Sequence, residues 1–133
     1  MATTVETETE RYRIEWDDDI DAVIYTWTEF ASGEQFRDGA NALLEYVSEN
    51  DVTNVIVDSS GIQAHDDDDQ AWLAREWTPA MIDAGMEYNV VVHKESIISE
   101  MDVEALMESL EELPYESTVT VSMAEARDWI ANR

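Results

Sequence analysis

The chain has 133 residues, and 44% of them are apolar, which is enough for the core of one domain. It contains no cysteine, so disulfides, thiolate metal sites and a cysteine nucleophile are excluded. Asp and Glu number 32 against seven Lys and Arg, for a net charge of −25. This charge argues against nucleic acids and anionic membranes as partners, because both are themselves negatively charged.

The acidity also indicates a habitat. Six of the basic residues are Arg, and Lys94 is the only Lys. At molar ionic strength the Debye length is about 3 Å, so repulsion between surface carboxylates is largely screened. We therefore expect a protein of the cytoplasm of an extreme halophile; an acidic protein of an ordinary cell that meets basic partners is the alternative.

The domain is expected to span residues 11–133, after a flexible acidic tail at residues 1–10. The tail sequence, MATTVETETE, lacks the apolar core of a secretion signal, and no apolar run in the chain reaches the length of a transmembrane helix. Residues 11–16 and 22–28 alternate or cluster apolar side chains as strands do, and the polar DDDID between them predicts a hairpin. Ser32 and Gln35 predict a capping box for the helix that follows.

Residues 53–58 predict a buried strand at the centre of the sheet, with Val55 and Val57 on one face and Ile56 on the other. A second helix is expected to begin among the aspartates at 66–69 and to break at Pro79. Thr78 would then be a new N-cap and Gly85 the C-cap.

The remaining segments alternate in the same way. We expect a strand at 88–93, a helix at about 100–112, a strand at 118–121 and a last helix opened by Ser122 and Glu125. Such alternation predicts an α/β fold: a mixed, mostly parallel five-stranded sheet with about four helices and an N-terminal β-hairpin.

The candidate site lies at the carboxyl end of the central strand, where ligands collect in open α/β sheets. This strand ends at Asp58 and is followed by Ser59 and Ser60. The strand predicted beside it ends at His93. Asp58 could act as a nucleophile, base or metal ligand, but it could equally accept hydrogen bonds from loop N–H groups, which is the interpretation we favour. His65 and the aspartates at 66–69 fit no EF-hand spacing, so we expect a solvated helix start, with no metal and no cofactor.

Trp72 and Trp77 recur at apolar positions of the second helix. Aromatic side chains at helical spacing are usually part of the core. The alternative is a groove for a small apolar ligand or a partner, with these two side chains among its lining.

The pattern resembles the STAS fold of anti-sigma-factor antagonists, and more closely its SpoIIAA-like branch. The resemblance covers about residues 11–131. The segments that carry it are TWTEFASGEQFRDGANALL, NVIVDSSG, DDDDQAWLAREWTPAMIDAG, YNVVVH and VTVSMAEARDWIANR. It implies a non-enzymatic regulatory or protein-interaction module with a protein partner, and it leaves a homodimer open.

The resemblance also concerns phosphorylation. STAS regulators carry an Asp-Ser-x-Gly motif whose Ser is phosphorylated by a partner kinase, and residues 58–61 read as that motif, so Ser59 and Ser60 are candidate phosphorylation sites. In the family the motif opens the second helix, a position that here falls near 66–69, where carboxylates would stand in place of a phosphate.

Two other functions are weighed against the regulatory module. One is a binder of an apolar ligand or lipid, since the SpoIIAA-like branch resembles lipid-binding CRAL-TRIO domains in fold. The other is a small hydrolase that uses Asp58 and a nearby His.

Overall fold

The structure is a computed structural model that describes residues 3–29, 33–59, 67–92 and 116–132. Its strands are β1 (Thr3–Glu8), β2 (Tyr12–Asp17), β3 (Ala22–Trp27), β4 (Asn54–Asp58), β5 (Tyr88–Val92) and β6 (Glu116–Thr120). Its helices are α1 (Gly33–Asn50), α2 (Asp67–Trp72), a π-helical turn (Leu73–Trp77), α3 (Thr78–Ala84) and α4 (Met123–Ala131).

The strands form one mixed sheet in the order β1-β2-β3-β4-β5-β6. The first three are joined antiparallel, and β3 to β6 run parallel, as the alternation of strands and helices predicted. Asp58 pairs with Thr26 on one side and with Val92 on the other, so β4 lies inside the sheet and its carboxyl end meets that of β5.

The predicted number of five strands is wrong, because the described residues already form a sheet of six. The additional strand, β1, lies where we expected a flexible tail. Its residues alternate Thr or Val with Thr or Glu, and they pair antiparallel with β2 through a ladder whose register shifts between Val5 and Thr7. Backbone pairing does not require an apolar side chain at every position, which is why an acidic segment can serve as an edge strand.

The helix that contains Pro79 is irregular in a different way from our prediction. Thr78 has helical angles (φ −62°, ψ −47°) and is not a new N-cap; its N–H donates to the carbonyl of Leu73, five residues back. The wide turn before Pro79 suits a residue that lacks an N–H and whose ring would crowd the preceding turn. Gly85 ends α3 at φ 118°, as predicted for the C-cap.

The helix predicted at about 100–112 and the predicted N-cap Ser32 lie outside the described residues. The cap of α4 is confirmed for Ser122, whose Oγ accepts from the N–H groups of Ala124 and Glu125 at 3.1 and 3.4 Å. The second half of the predicted box differs, because the Glu125 carboxylate accepts from the Thr120 hydroxyl. No helix in the described ranges is long and apolar enough to cross a membrane.

The two faces of the sheet carry separate cores. Val55 and Val57 face the layer of α1, α2 and α3, whereas Ile56 faces α4, as the alternation along β4 predicted. The core under α1 to α3 includes Tyr25, Trp27, Phe36, Leu43, Val47, Trp77 and Met81. The core under α4 is aliphatic and includes Ala22, Ile24, Ile56, Val90, Val92, Ala126 and Ile130.

Candidate functional site

Among the residues that the structure describes, those predicted to form the site do not all come together in one place. Asp58 ends β4 on the side of Ile56, which faces α4. Trp72 and Trp77 belong to the core on the opposite face of the sheet. Ser60 and His93 lie outside the described residues. The structure therefore separates the carboxylate from the tryptophans by the thickness of the sheet.

Ser59 closes the carboxyl end of β4 against β5. Its N–H donates to the Val92 carbonyl at 2.8 Å, and the residue is only 2% exposed. The hydroxyl is buried and has no hydrogen-bond partner within the part of the chain that the structure describes. In this conformation a kinase has no access to the hydroxyl, so phosphorylation of Ser59 would require the strand end to open.

The two tryptophans fill space between helices. Trp77 is 7% exposed, and its indole N–H donates to the Ala40 carbonyl of α1 at 2.8 Å. Trp72 packs edge-on against Phe36, with 6.2 Å between ring centroids, and is half-buried. These contacts are those of a core, so Trp77 presents no free face to an apolar ligand, and Trp72 presents only part of one.

One aspartate has a role that the sequence reasoning missed. Asp69 is 2% exposed, not solvated as expected, and its Oδ2 accepts from the Gly33 N–H at the start of α1, at 3.1 Å. Its Oδ1 lies 3.9 Å from Nε of Arg37, whose guanidinium in turn sits 5.4 Å from the Trp72 ring centroid. The carboxylate thus caps α1 from another helix, where negative charge is favourable.

A signal for this contact exists in the sequence. Asp69 precedes Trp72 by three positions and Leu73 by four, which places it on the inner face of its helix. The other aspartate of the run with a described side chain, Asp68, is exposed. Helical phase therefore favours Asp69, which has large apolar residues at both i+3 and i+4, over Asp68, which has one only at i+4, Trp72.

A second missed feature is the close approach of α1 to the aromatic side chains of β2 and β3. Tyr25 is 1% exposed and stacks on Tyr12 with 5.3 Å between centroids. A Cβ on Gly39 would lie 2.7 Å from the Tyr25 hydroxyl oxygen and 2.8 Å from the Trp27 ring, so only glycine fits there. The Tyr25 hydroxyl is buried without a partner among the described residues, and burial, followed by the effect of Tyr12, raises its pKa well above the ordinary tyrosine value.

A buried ion pair lies at the rim of the other face. Asp17, at the end of β2, is fully buried; its Oδ2 accepts from Nη1 of Arg127 in α4, and its Oδ1 accepts from the Asp19 N–H at 2.9 Å. The Arg127 side chain remains 31% exposed. The pair attaches the last helix to the β2–β3 turn.

The outer surface of the helical layer carries a shallow, open groove between α1 and α3. The side chains along it are Asn41, Leu44, Glu45, Ser48, Glu49, Ala80, Asp83 and Ala84. Of the predicted site residues that the structure describes, Asp58, Ser59, Trp72 and Trp77, none belongs to it.

The described residues contain no group of three or more His, Asp or Glu side chains placed to hold a metal ion. A comparison of the chain with protein-family models, with curated proteins and with solved structures found no match.

Proposed function

We propose that this chain is a non-enzymatic regulatory or protein-interaction module of STAS type, adapted to the cytoplasm of a cell that holds molar salt. Its net charge of −25 on a domain with two packed cores supports the adaptation to salt. The resemblance in sequence, together with a mixed sheet of β-hairpin and parallel strands, supports the STAS type. Unrelated functions occur on the same fold, so the further support for this proposal comes from the residues of the site.

The observation that carries the proposal is the state of Ser59. A hydroxyl nucleophile needs a base within hydrogen-bond reach and a path for its substrate. The Ser59 hydroxyl has no hydrogen-bond partner in the described ranges and is buried at the junction of β4 and β5. Ser59 therefore helps to hold the carboxyl ends of β4 and β5 together. We do not expect the family's phosphorylation switch at this residue.

The experiment compares turnover with partner binding. Purified protein in molar KCl is assayed with phosphoesters and carboxyl esters, beside Asp58→Asn and His93→Ala. We expect no turnover from any of the three, and we expect Asp58→Asn to lower stability or partner binding. Hydrolysis that is lost in both variants would instead establish a hydrolase built on Asp58 and His93.

Mass spectrometry of the same preparation separates the remaining alternatives. We expect an intact mass without phosphate and an organic extract without a stoichiometric lipid. A phosphate on Ser59 or Ser60 would support the family's phosphorylation switch. A co-purifying lipid would support a lipid binder, although Trp72 and Trp77 pack in the core and line no groove among the described residues.

A further inference from the structure

The groove between α1 and α3 combines an apolar floor with acidic walls. Leu44 and Ala84 are half-buried along it, and Ala80 adds a second small side chain from α3. Because alanines project little from a helix, the space beside Leu44 stays open. A floor of this kind fits an apolar side chain from another molecule, in the manner of helix-in-groove recognition.

The walls carry three exposed carboxylates, those of Glu45, Glu49 and Asp83. None of them takes part in the ion pairs found among the described residues, and no Lys or Arg is among the described side chains that line the groove. A ligand that brings positive charge can therefore pair with them without displacing an existing partner.

We propose that this groove is the docking site for an amphipathic segment of a partner protein that presents an apolar side chain flanked by Arg or Lys. The inference rests on the proposed function, for which it names the surface and the chemistry of the partner. A second copy of this chain fits poorly, because a molecule of net charge −25 would bring carboxylates to a wall of carboxylates.

Salt decides how such a segment would be held. Long-range attraction is screened at molar ionic strength, where the Debye length is about 3 Å. Only charges in direct contact then contribute, and burial of the apolar side chain against Leu44 has to supply most of the affinity. Binding should therefore weaken, but persist, as KCl is raised from the lowest concentration at which the protein is folded to molar concentration.

The test uses a synthetic peptide as the probe. It is a fluorescently labelled peptide of about 18 residues, long enough to form a helix, with leucines at positions i, i+3, i+4 and i+7 and arginines beside them. A scrambled peptide of equal composition serves as the control ligand. Binding is measured by fluorescence anisotropy in molar KCl, and circular dichroism verifies that every variant is folded.

Two triple variants change the net charge equally. Glu45→Gln, Glu49→Gln and Asp83→Asn together remove the walls of the groove, whereas Glu10→Gln, Asp21→Asn and Glu29→Gln remove three exposed carboxylates that do not line it. We expect the first triple to weaken binding about tenfold and the second to leave it nearly unchanged. Ala80→Trp should abolish binding, because the indole would occupy the floor.

Three results would overturn the proposal: no preference of the wild type for the leucine peptide over the scrambled one, equal losses in the two triples, or full binding by Ala80→Trp. Any of these would leave the proposed function standing, since that is supported by the resemblance and by the burial of Ser59, and is tested by the turnover assay. Hydrolysis lost in the Asp58 and His93 variants would remove the proposed function and leave the binding data to be judged separately.

Discussion

The two faces of the sheet are covered by cores of different side-chain types. The face under α1 to α3 packs aromatic rings in a row: Tyr25 and Trp27 lie 5.2 Å apart, and Trp27 and Phe36 5.4 Å, between centroids. The fully buried core under α4 consists of Ala, Val and Ile, the half-buried Tyr88 and Trp129 pack edge-on at its border, and an ion pair closes its rim. One face thus depends on the shape and area of large side chains, and the other on small ones, while each also holds a buried carboxylate: Asp69 on the first and Asp17 on the second.

The two faces are therefore sensitive to different substitutions. Large rings bury much area, and they fit under α1 because Gly39 has no side chain. Their packing leaves the Tyr25 hydroxyl without a hydrogen-bond partner in the described ranges. Small aliphatic side chains pack without such conflicts. Their rim, however, holds a carboxylate that is fully buried and needs Arg127 as its counter-charge.

The largest expected effect is that of salt on the stability of the whole domain, and it should leave the difference between the two faces unchanged. We expect the protein to unfold or loosen below a few hundred millimolar KCl, because its exposed carboxylates then repel each other unscreened. The melting temperature, measured from dilute buffer to molar KCl, should rise throughout. A melting temperature that stays flat over that range would refute the adaptation to high salt.

Removal of a ring from the aromatic face should be the most damaging single substitution. Phe36 is 2% exposed between Trp27 and Trp72, and Phe36→Ala should cost about 4 kcal/mol in the free energy of unfolding. Ile130→Ala on the other face, also at a 2% exposed position, should cost about 3 kcal/mol. Denaturant titration in molar KCl measures both; a smaller loss for Phe36→Ala than for Ile130→Ala would reverse the comparison.

Breaking the rim of the aliphatic face should come next. Arg127→Ala leaves Asp17 buried without its counter-charge and should cost about 3 kcal/mol in the free energy of unfolding, measured by denaturant titration in molar KCl. The loss should change little as KCl is raised further, because Asp17 is shielded from solvent ions.

The double variant Asp17→Asn with Arg127→Met is the control for this pair. Asn retains an acceptor for the Asp19 N–H, and no buried charge remains, so most of the stability should return. A double variant as unstable as Arg127→Ala would show that the ion pair itself stabilises the fold, since Met keeps most of the packing of the Arg127 stem.

The smallest effect concerns the Tyr25 hydroxyl. Burial raises the pKa of Tyr25, so the unfolded chain releases this proton near pH 10 while the folded chain keeps it. Stability is thus fully present below pH 10 and falls above it, by about 1.4 kcal/mol per pH unit for one such group.

Tyr25→Phe should lessen that alkaline loss and, at neutral pH, leave stability equal or about 1 kcal/mol higher, because it removes a buried hydroxyl without a described partner. The alkaline loss of stability is compared with that of Tyr46→Phe, because the pKa of Tyr46 is also raised, by burial and then by the charges of Glu6 and Asp18. Urea unfolding at neutral and alkaline pH gives the slopes. A marked loss of stability in Tyr25→Phe at neutral pH would mean that the hydroxyl has a partner.

Local patterns in the sequence predicted much of the frame. The run NVIVD, with alternate residues on two faces, predicted β4 and the side on which each side chain lies, since a strand has a period of two. Gly85 and Ser122 predicted helix ends, because a left-handed C-cap and an N-cap hydroxyl are local devices. The hairpin of β2 and β3 followed from the same kind of evidence.

Other features depend on contacts between residues distant in the chain, which local sequence patterns do not predict. The acidic β1 becomes a strand because β2 offers an edge, and Asp69 is buried because Gly33, 36 positions away, presents an unsatisfied N–H. The separation of Asp58 from Trp72 and Trp77 follows from the face that each occupies. Periodicity gives the phase of each element, but the partner of a buried polar group is set by which elements pack together.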